Sequence, residues 1–212
     1  MEEIITGNLI LEDSEIVNFK KLKRIINSGI EKTICKIIIE EELRVATGLF
    51  CNKKEYNMKA FITNNHVINK EYLNNKKTII IEVEDEQKVI NLELKRFKMT
   101  DENLDFTIIE ILEEDNINNF LDIDEDIYLK DYKGEIIFAT QFPGGDELNY
   151  SHGKLIEKKG KFFFYSLETL GESSGSPIIL FNNLMIIGLH KGGINDKNGN
   201  KINVGIPISL II

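Results

Sequence analysis

The chain has 212 residues, a hydrophobic fraction of 42% and a formal net charge of −9. This length suits one large β domain or two small barrels that share an interface. The 35 acidic residues outnumber the 26 basic ones, which argues against nucleic acid as a main partner because phosphate binding requires a basic surface. Apolar runs fall well short of the roughly 18 residues of a membrane span, so we expect no membrane partner.

Composition also bears on the compartment and on metals. The acidic N-terminus lacks the apolar core of a secretory signal. Cys35 and Cys51 lie in neighbouring predicted strands and are expected to be buried free thiols. Both observations favour a reducing, cytoplasmic setting over a secreted one. The two cysteines and three histidines are scattered without ligand spacing, so we expect no metal and no cofactor.

Residues 1–31 are predicted to form an arm and a short helix. Apolar side chains recur at helical spacing over residues 14–27, where Asp13 or Ser14 can cap the start and Gly29 the end. Four basic residues cluster on this segment. We interpret them as the solvated face of the helix, with docking to a protein partner as the alternative.

From residue 32 to residue 112 the pattern is that of strands separated by polar turns. Six runs rich in β-branched or aromatic residues stand out: Thr33–Ile39, Val45–Cys51, Met58–Thr63, Thr78–Glu84, Lys88–Leu94 and Phe106–Leu112. Gly48 interrupts the second run, which indicates a bulge or a close backbone approach.

Residues 113–126 are acidic and rich in asparagine. Their spacing does not match an EF-hand loop, so we interpret them as a solvated linker rather than a calcium site. Residues 127–212 return to the strand pattern, with six further predicted strands: Glu135–Thr140, Leu148–Ile156, Phe162–Leu167, Ile178–Phe181, Leu184–His190 and Ile202–Ile206.

The segment TLGESSGSP, residues 169–177, is a tight loop of small residues that runs into an apolar strand. Gly175 and Pro177 restrict the backbone around Ser174, because glycine tolerates unusual φ and proline fixes it. This geometry suits a nucleophile that stands clear of the chain beside backbone N–H groups. An ordinary Ser/Gly turn is the alternative interpretation of this loop by itself.

Two other segments supply what a serine nucleophile needs. His66 lies in a short polar turn after an apolar strand, and Asp105 precedes another apolar strand. Acyl transfer by serine requires a base near the hydroxyl and a carboxylate that fixes the tautomer of that base. The order His66, Asp105, Ser174 therefore predicts a catalytic triad.

The three segments resemble the motifs (L/I)TNxHV, DxAxIx and GxSGSP of the trypsin/chymotrypsin-like serine protease family, in its bacterial, glutamyl-endopeptidase-like branch. The resemblance extends from about Lys32 to the C-terminus. It implies an all-β fold of two antiparallel six-stranded barrels, residues 32–112 and 127–212, with the triad between them. It also implies a polypeptide substrate, His66 as general base, Asp105 as orienting carboxylate, Ser174 as nucleophile, and an oxyanion hole formed by the backbone N–H groups of Glu172 and Ser174.

A fourth segment resembles a specificity pocket. Residues 187–193, IGLHKGG, are similar to the GIHxGG strand of glutamyl endopeptidases and picornaviral proteases. The resemblance assigns His190, Gly192 and Gly193 to the S1 pocket, and Thr169 supplies a hydroxyl there. A histidine and a hydroxyl together can bind a carboxylate or an amide, which implies cleavage after Glu, Asp or Gln.

The sequence departs from the family at Glu172, where glycine is usual because the peptide often needs positive φ. A latent enzyme completed by substrate or by a regulatory protein partner is therefore an alternative, as is a non-catalytic peptide-binding scaffold. Residues 171–175 also fit the nucleophile elbow of an α/β-hydrolase, with Ser173 as nucleophile. That fold requires the acid and then the histidine after the serine, whereas here the nearby Asp196 follows His190.

Overall fold

The computed structural model describes residues 19–39, 43–53, 58–124, 130–197 and 199–212. Its helices and strands in chain order are α1 (Phe19–Ile26), β1 (Ile34–Ile39), β2 (Arg44–Lys53), β3 (Met58–Thr63), α2 (Lys70–Asn75), β4 (Thr78–Val83), β5 (Glu86–Asn91), β6 (Lys98–Asp101), β7 (Phe106–Glu110), β8 (Leu121–Asp122), β9 (Ile136–Gln141), β10 (Asn149–Lys159), β11 (Phe162–Ser166), β12 (Pro177–Leu180), β13 (Ile186–Asn195) and β14 (Lys201–Pro207). The predicted helix is present as α1, and the first residues assigned to it, together with both proposed N-terminal caps, lie outside the described residues. Within the described residues, no helix combines the length and the apolar character that crossing a membrane requires.

The N-terminal half is one antiparallel sheet with the strand order β5-β4-β1-β2-β3-β7-β6, to which β8 adds in parallel beside β2. The six strands predicted here are all present. Among the described residues the sheet does not close, because β5 and β6 remain its two ends. It is therefore a half-barrel rather than the six-stranded barrel that we expected.

The C-terminal half is a closed barrel of six antiparallel strands, in the order β10-β11-β14-β13-β12-β9. Its strands coincide with the six predicted ones. In β11 Phe163 and Tyr165 belong to the main apolar core, whereas Phe164 between them belongs to a separate small cluster, as expected for a pleated strand. The predicted all-β, chymotrypsin-like fold is thus confirmed.

The segment between the two halves is more ordered than the predicted solvated linker. Glu113–Asp115 forms a turn of 3-10 helix, and the buried Asp115 carboxylate accepts hydrogen bonds from Nη1 and Nη2 of Arg96 at 2.7 and 3.1 Å. Leu121 and Asp124 are also buried, at 3% exposure each. Glu113, Glu114 and Asn116 are exposed, as expected for a solvated linker, whereas Asp115 is buried because Arg96, itself buried, requires a carboxylate partner in the interior.

One apolar core joins the two halves. It contains Leu49, Ile62 and Phe106 from the N-terminal sheet together with the interior of the C-terminal barrel. Cys35 and Cys51 are fully buried and unpaired, which confirms their prediction as free thiols. Burial raises the pKa of the Cys51 thiol to about 12, so the thiolate is scarce in the folded protein.

Candidate active site

His66 and Asp105 are held together where β3 ends and β7 begins. Nδ1 of His66 lies 2.8 Å from Oδ2 of Asp105, and the backbone N–H of His66 donates to Oδ1 at 2.9 Å. The side chain of the fully buried Asn64 donates to the Asp105 carbonyl at 2.9 Å and fixes the turn between them. Because an ionised carboxylate only accepts hydrogen bonds, Nδ1 carries the proton and Nε2 is left as the basic nitrogen.

A third group also binds Asp105. Nζ of Lys191 lies 2.7 Å from Oδ2, the oxygen that Nδ1 of His66 approaches most closely. The pairing of β13 with β14 shifts register between His190 and Gly192, so Lys191 sits in a bulge, a feature that redirects a side chain. Burial raises the pKa of Asp105, but the hydrogen bonds from His66 and Lys191 outweigh it and hold the pKa below its usual value. The carboxylate therefore stays ionised at neutral pH.

The loop of Ser174 is anchored by β2 of the other half. The backbone N–H of Thr47 donates to the Ser174 carbonyl at 3.0 Å, and the Thr47 hydroxyl donates to the Glu172 carbonyl at 3.1 Å. Gly175 has φ +89°, and a Cβ placed there would stand 1.9 Å from the Thr47 carbonyl oxygen. Only glycine fits this close approach, which explains its place in the motif.

Ser174 and His66 line two adjoining cavities that share Gly192 and Gly193 as a wall. The Ser174 side chain is half-buried. No hydrogen bond joins the Ser174 hydroxyl to His66 in the described part of the chain. The structure thus brings Asp105 and His66 into direct contact, and Ser174 lines the adjoining cavity without a hydrogen bond to the imidazole.

Ser173, the nucleophile of the α/β-hydrolase alternative, is fully buried, and its hydroxyl is unpartnered in the described structure. Its carbonyl accepts hydrogen bonds from the backbone N–H and the hydroxyl of Ser176 at 3.1 and 2.6 Å. A substrate cannot reach this hydroxyl, and the all-β fold also contradicts that alternative.

The backbone at Glu172 adopts the conformation that a glycine would take easily, with φ +66°. The Gly171 carbonyl accepts a hydrogen bond from the N–H of Gly144 at 3.0 Å. Since C=O and N–H of one trans peptide point in opposite directions, this bond turns the Glu172 N–H away from Gly144. Neither the Glu172 N–H nor that of Ser174 donates to another described group, so both are available to an oxyanion.

The four residues predicted for the S1 pocket lie together around a cavity of about 330 Å³. His190 is buried, and its Nδ1 is 2.6 Å from the Tyr165 hydroxyl. Burial lowers the pKa of His190 to about 3, with smaller contributions from the charges of Lys201 and His66. The imidazole is therefore neutral at physiological pH.

The Thr169 hydroxyl, which we predicted to contact the substrate side chain, has a hydrogen-bond partner within the pocket. It donates to Oδ1 of Asn203 at 2.7 Å, and Nδ2 of Asn203 donates to the Leu167 carbonyl at 2.6 Å. The second bond fixes the orientation of the amide, so Thr169 cannot use the same proton for a substrate carboxylate. Sequence analysis missed Asn203, because its contact arises from the pairing of β11 and β14 rather than from a local motif.

No protein-family model matches the chain. A stretch of 82 residues, 39% of this chain, is 32% identical to a glutamyl endopeptidase of Staphylococcus epidermidis and spans 26% of that protein. The chain thus spans only about a quarter of the length of the curated relatives it matches.

Two solved structures show the similarity of fold. Rv3671c from M. tuberculosis H37Rv, a mutant in an inactive form, matches over 95% of this chain and 93% of its own, with a TM-score of 0.67 and 12% identity. The serine endoprotease from Yersinia pestis matches over 93% of this chain and 65% of its own, with a TM-score of 0.67 and 15% identity. These matches confirm the predicted chymotrypsin-like protease fold.

Proposed function

We propose that this chain is a serine endopeptidase that works through a triad of His66, Asp105 and Ser174 and an acyl-enzyme. The observation that carries the proposal is the hydrogen bond between the buried Asp105 carboxylate and Nδ1 of His66, beside the cavity that Ser174 lines. It leaves the other imidazole nitrogen basic and directed by a fixed partner, which is the requirement for activation of a serine.

In the proposed mechanism, the Ser174 hydroxyl rotates toward Nε2 of His66, which takes its proton as Oγ attacks the peptide carbonyl. The oxygen of that carbonyl becomes an anion and accepts hydrogen bonds from the N–H groups of Glu172 and Ser174. The imidazolium then protonates the leaving amine, and the acyl-enzyme forms. A water molecule, deprotonated by His66, hydrolyses the ester and regenerates the serine.

The proposed preference is for Glu, Asp or Gln at P1. The similarity to a protein named glutamyl endopeptidase supports it, as does a neutral His190 that faces the S1 cavity. The Val204 carbonyl, the other acceptor near Tyr165, is 3.5 Å away, so the Tyr165 hydroxyl proton goes to Nδ1 of His190. Nε2 of His190 then carries a proton that a side-chain oxygen of the substrate can accept.

The two buried free thiols support a reducing compartment, the cytoplasm, as the location.

A latent protease is the second candidate, because the Ser174 hydroxyl and His66 are not hydrogen-bonded in the described structure. A fluorophosphonate probe separates the candidates, since it labels a serine only where the base and the oxyanion hole are formed. We expect labelling of the wild-type protein, loss of labelling in Ser174→Ala, and normal labelling in the matched variant Ser173→Ala.

Cleavage of a peptide library measures specificity in parallel. We expect cuts after acidic residues or Gln. Absence of both labelling and cleavage in a folded protein would exclude a constitutive enzyme and favour the latent form, whereas cleavage after Arg, Lys or Phe would contradict the proposed preference.

A further inference from the structure

Lys201, which belongs to none of the motifs, lines the S1 cavity. Lys201 begins β14, opposite Asn195 of β13, and its ammonium donates a hydrogen bond to the Thr169 carbonyl. Its Cε passes over Gly193, where an added Cβ would stand 3.0 Å away. Gly193 therefore leaves room for the lysine stem, and the ammonium is held against a residue of the pocket.

The neutral polar groups of this pocket distinguish poorly between a carboxylate and an amide. His190 is uncharged at physiological pH, because burial lowers its pKa to about 3. The Thr169 hydroxyl proton is already donated to Asn203. The formal charges among the residues lining the cavity are those of Lys201 and of Glu172, which comes from the nucleophile loop. Lys201 is the cation, and it directly contacts the S1 residue Thr169.

We propose that Lys201 is a specificity-determining residue that selects Glu over Gln at P1. This inference rests on the proposed function and adds to it the charge of the preferred substrate. An ammonium has three donors, and the Thr169 carbonyl occupies one, so two remain for a substrate carboxylate. The carboxylate offers two charged oxygens, which accept hydrogen bonds from Lys201 and from Nε2 of His190, whereas an amide offers one neutral oxygen and gains no charge interaction.

The first test measures binding to the catalytically disabled Ser174→Ala protein, so that it does not depend on turnover. Two peptides that differ only in Glu or Gln at P1 are titrated by calorimetry. Lys201→Met in this background is expected to reduce the preference for Glu over Gln about two- to fivefold, the range for an exposed ion pair. Lys201→Arg keeps the charge and should keep most of the preference.

The matched control is Lys197→Met, which removes an exposed lysine in the same hairpin that does not line the cavity. It is expected to leave the ratio unchanged. Raising the salt concentration from about 0.05 to 0.5 M should reduce the Glu preference of the parent, because screening weakens exposed charge pairs, and should have little effect in Lys201→Met.

The second test compares kcat/KM for the same peptides in proteins with Ser174 intact. If the wild type cleaves after Glu and the ratio of Glu to Gln is the same in Lys201→Met and Lys197→Met, the role of Lys201 is refuted and the protease stands. The protein could instead bind the Glu peptide in a Lys201-dependent manner but neither cleave it nor react with the fluorophosphonate. That outcome would support the role of Lys201 in recognition and refute the proposed peptidase activity. Absence of binding and of cleavage refutes both.

Discussion

Removal of Lys191 tests whether its ammonium stabilises the Asp105 carboxylate as the geometry indicates. In Lys191→Met the hydrogen bond of 2.7 Å to Oδ2 is lost, while both donors from His66 remain. A hydrogen bond to a charged group contributes about 1.5–3 kcal/mol. The Lys191 side chain is 23% exposed and regains some hydration when the bond is absent, which lowers the expected loss to about 1–2 kcal/mol.

The pH dependence gives this prediction its sign. The folded-state pKa of Asp105 lies below its usual value, since hydrogen bonds from His66 and Lys191 outweigh the effect of burial. A depressed carboxyl pKa contributes stability that is present above the unfolded pKa of about 3.9 and is lost as pH falls through the folded pKa. The difference in unfolding free energy between wild type and Lys191→Met should therefore be largest near neutral pH and shrink below about pH 4.

Urea denaturation from about pH 3 to 7, followed by circular dichroism, measures this difference. A loss of 1–2 kcal/mol corresponds to a fall of roughly 2–8 °C in Tm for a chain of this size. Lys197→Met again serves as the control, because that lysine is exposed in the same hairpin. Equal destabilisation by Lys191→Met at low and at neutral pH, or none at either, would refute the argument.

Three further predictions concern the core and the nucleophile loop. Asp115→Leu leaves the buried Arg96 without its carboxylate and should reduce the unfolding free energy by about 3–5 kcal/mol in urea denaturation, with an unchanged stability contradicting a buried ion pair. Gly175→Ala forces a Cβ toward the Thr47 carbonyl at positive φ, so we expect fluorophosphonate labelling to disappear even where circular dichroism still reports a folded protein; retained labelling would contradict the close approach. The Cys51 thiol, whose pKa burial raises to about 12, should react with DTNB only after unfolding, and rapid reaction of the native protein would contradict its burial.

Sequence analysis identified the strands that are themselves rich in β-branched and aromatic residues. Phe106–Glu110 reads as a strand because its β-branched and aromatic side chains are buried in the sheet. Lys98–Asp101 and Leu121–Asp122 were missed, since the first is polar and partly exposed and the second has two residues. Both are strands because a partner strand supplies their hydrogen bonds, which is information from elsewhere in the chain.

The candidate site divides in the same way. His66, Asp105 and Ser174 lie in short motifs, so a resemblance could identify them. Lys191 reaches Asp105 from a bulge in β13, and Lys201 reaches Thr169 because of the register of β14. No local sequence pattern specifies either feature. Thr169 lines the same cavity as His190, but its hydroxyl proton is donated to Asn203, and only the three-dimensional contact reveals this.

The bonds from Thr47 to the Ser174 loop have a consequence for the biogenesis of this protein. The C-terminal barrel closes through its own strands, but the loop that carries the serine obtains two of its anchors from β2 of the other half. During synthesis neither half alone holds a complete reactive centre. The proposed peptidase activity would therefore require that both halves have docked.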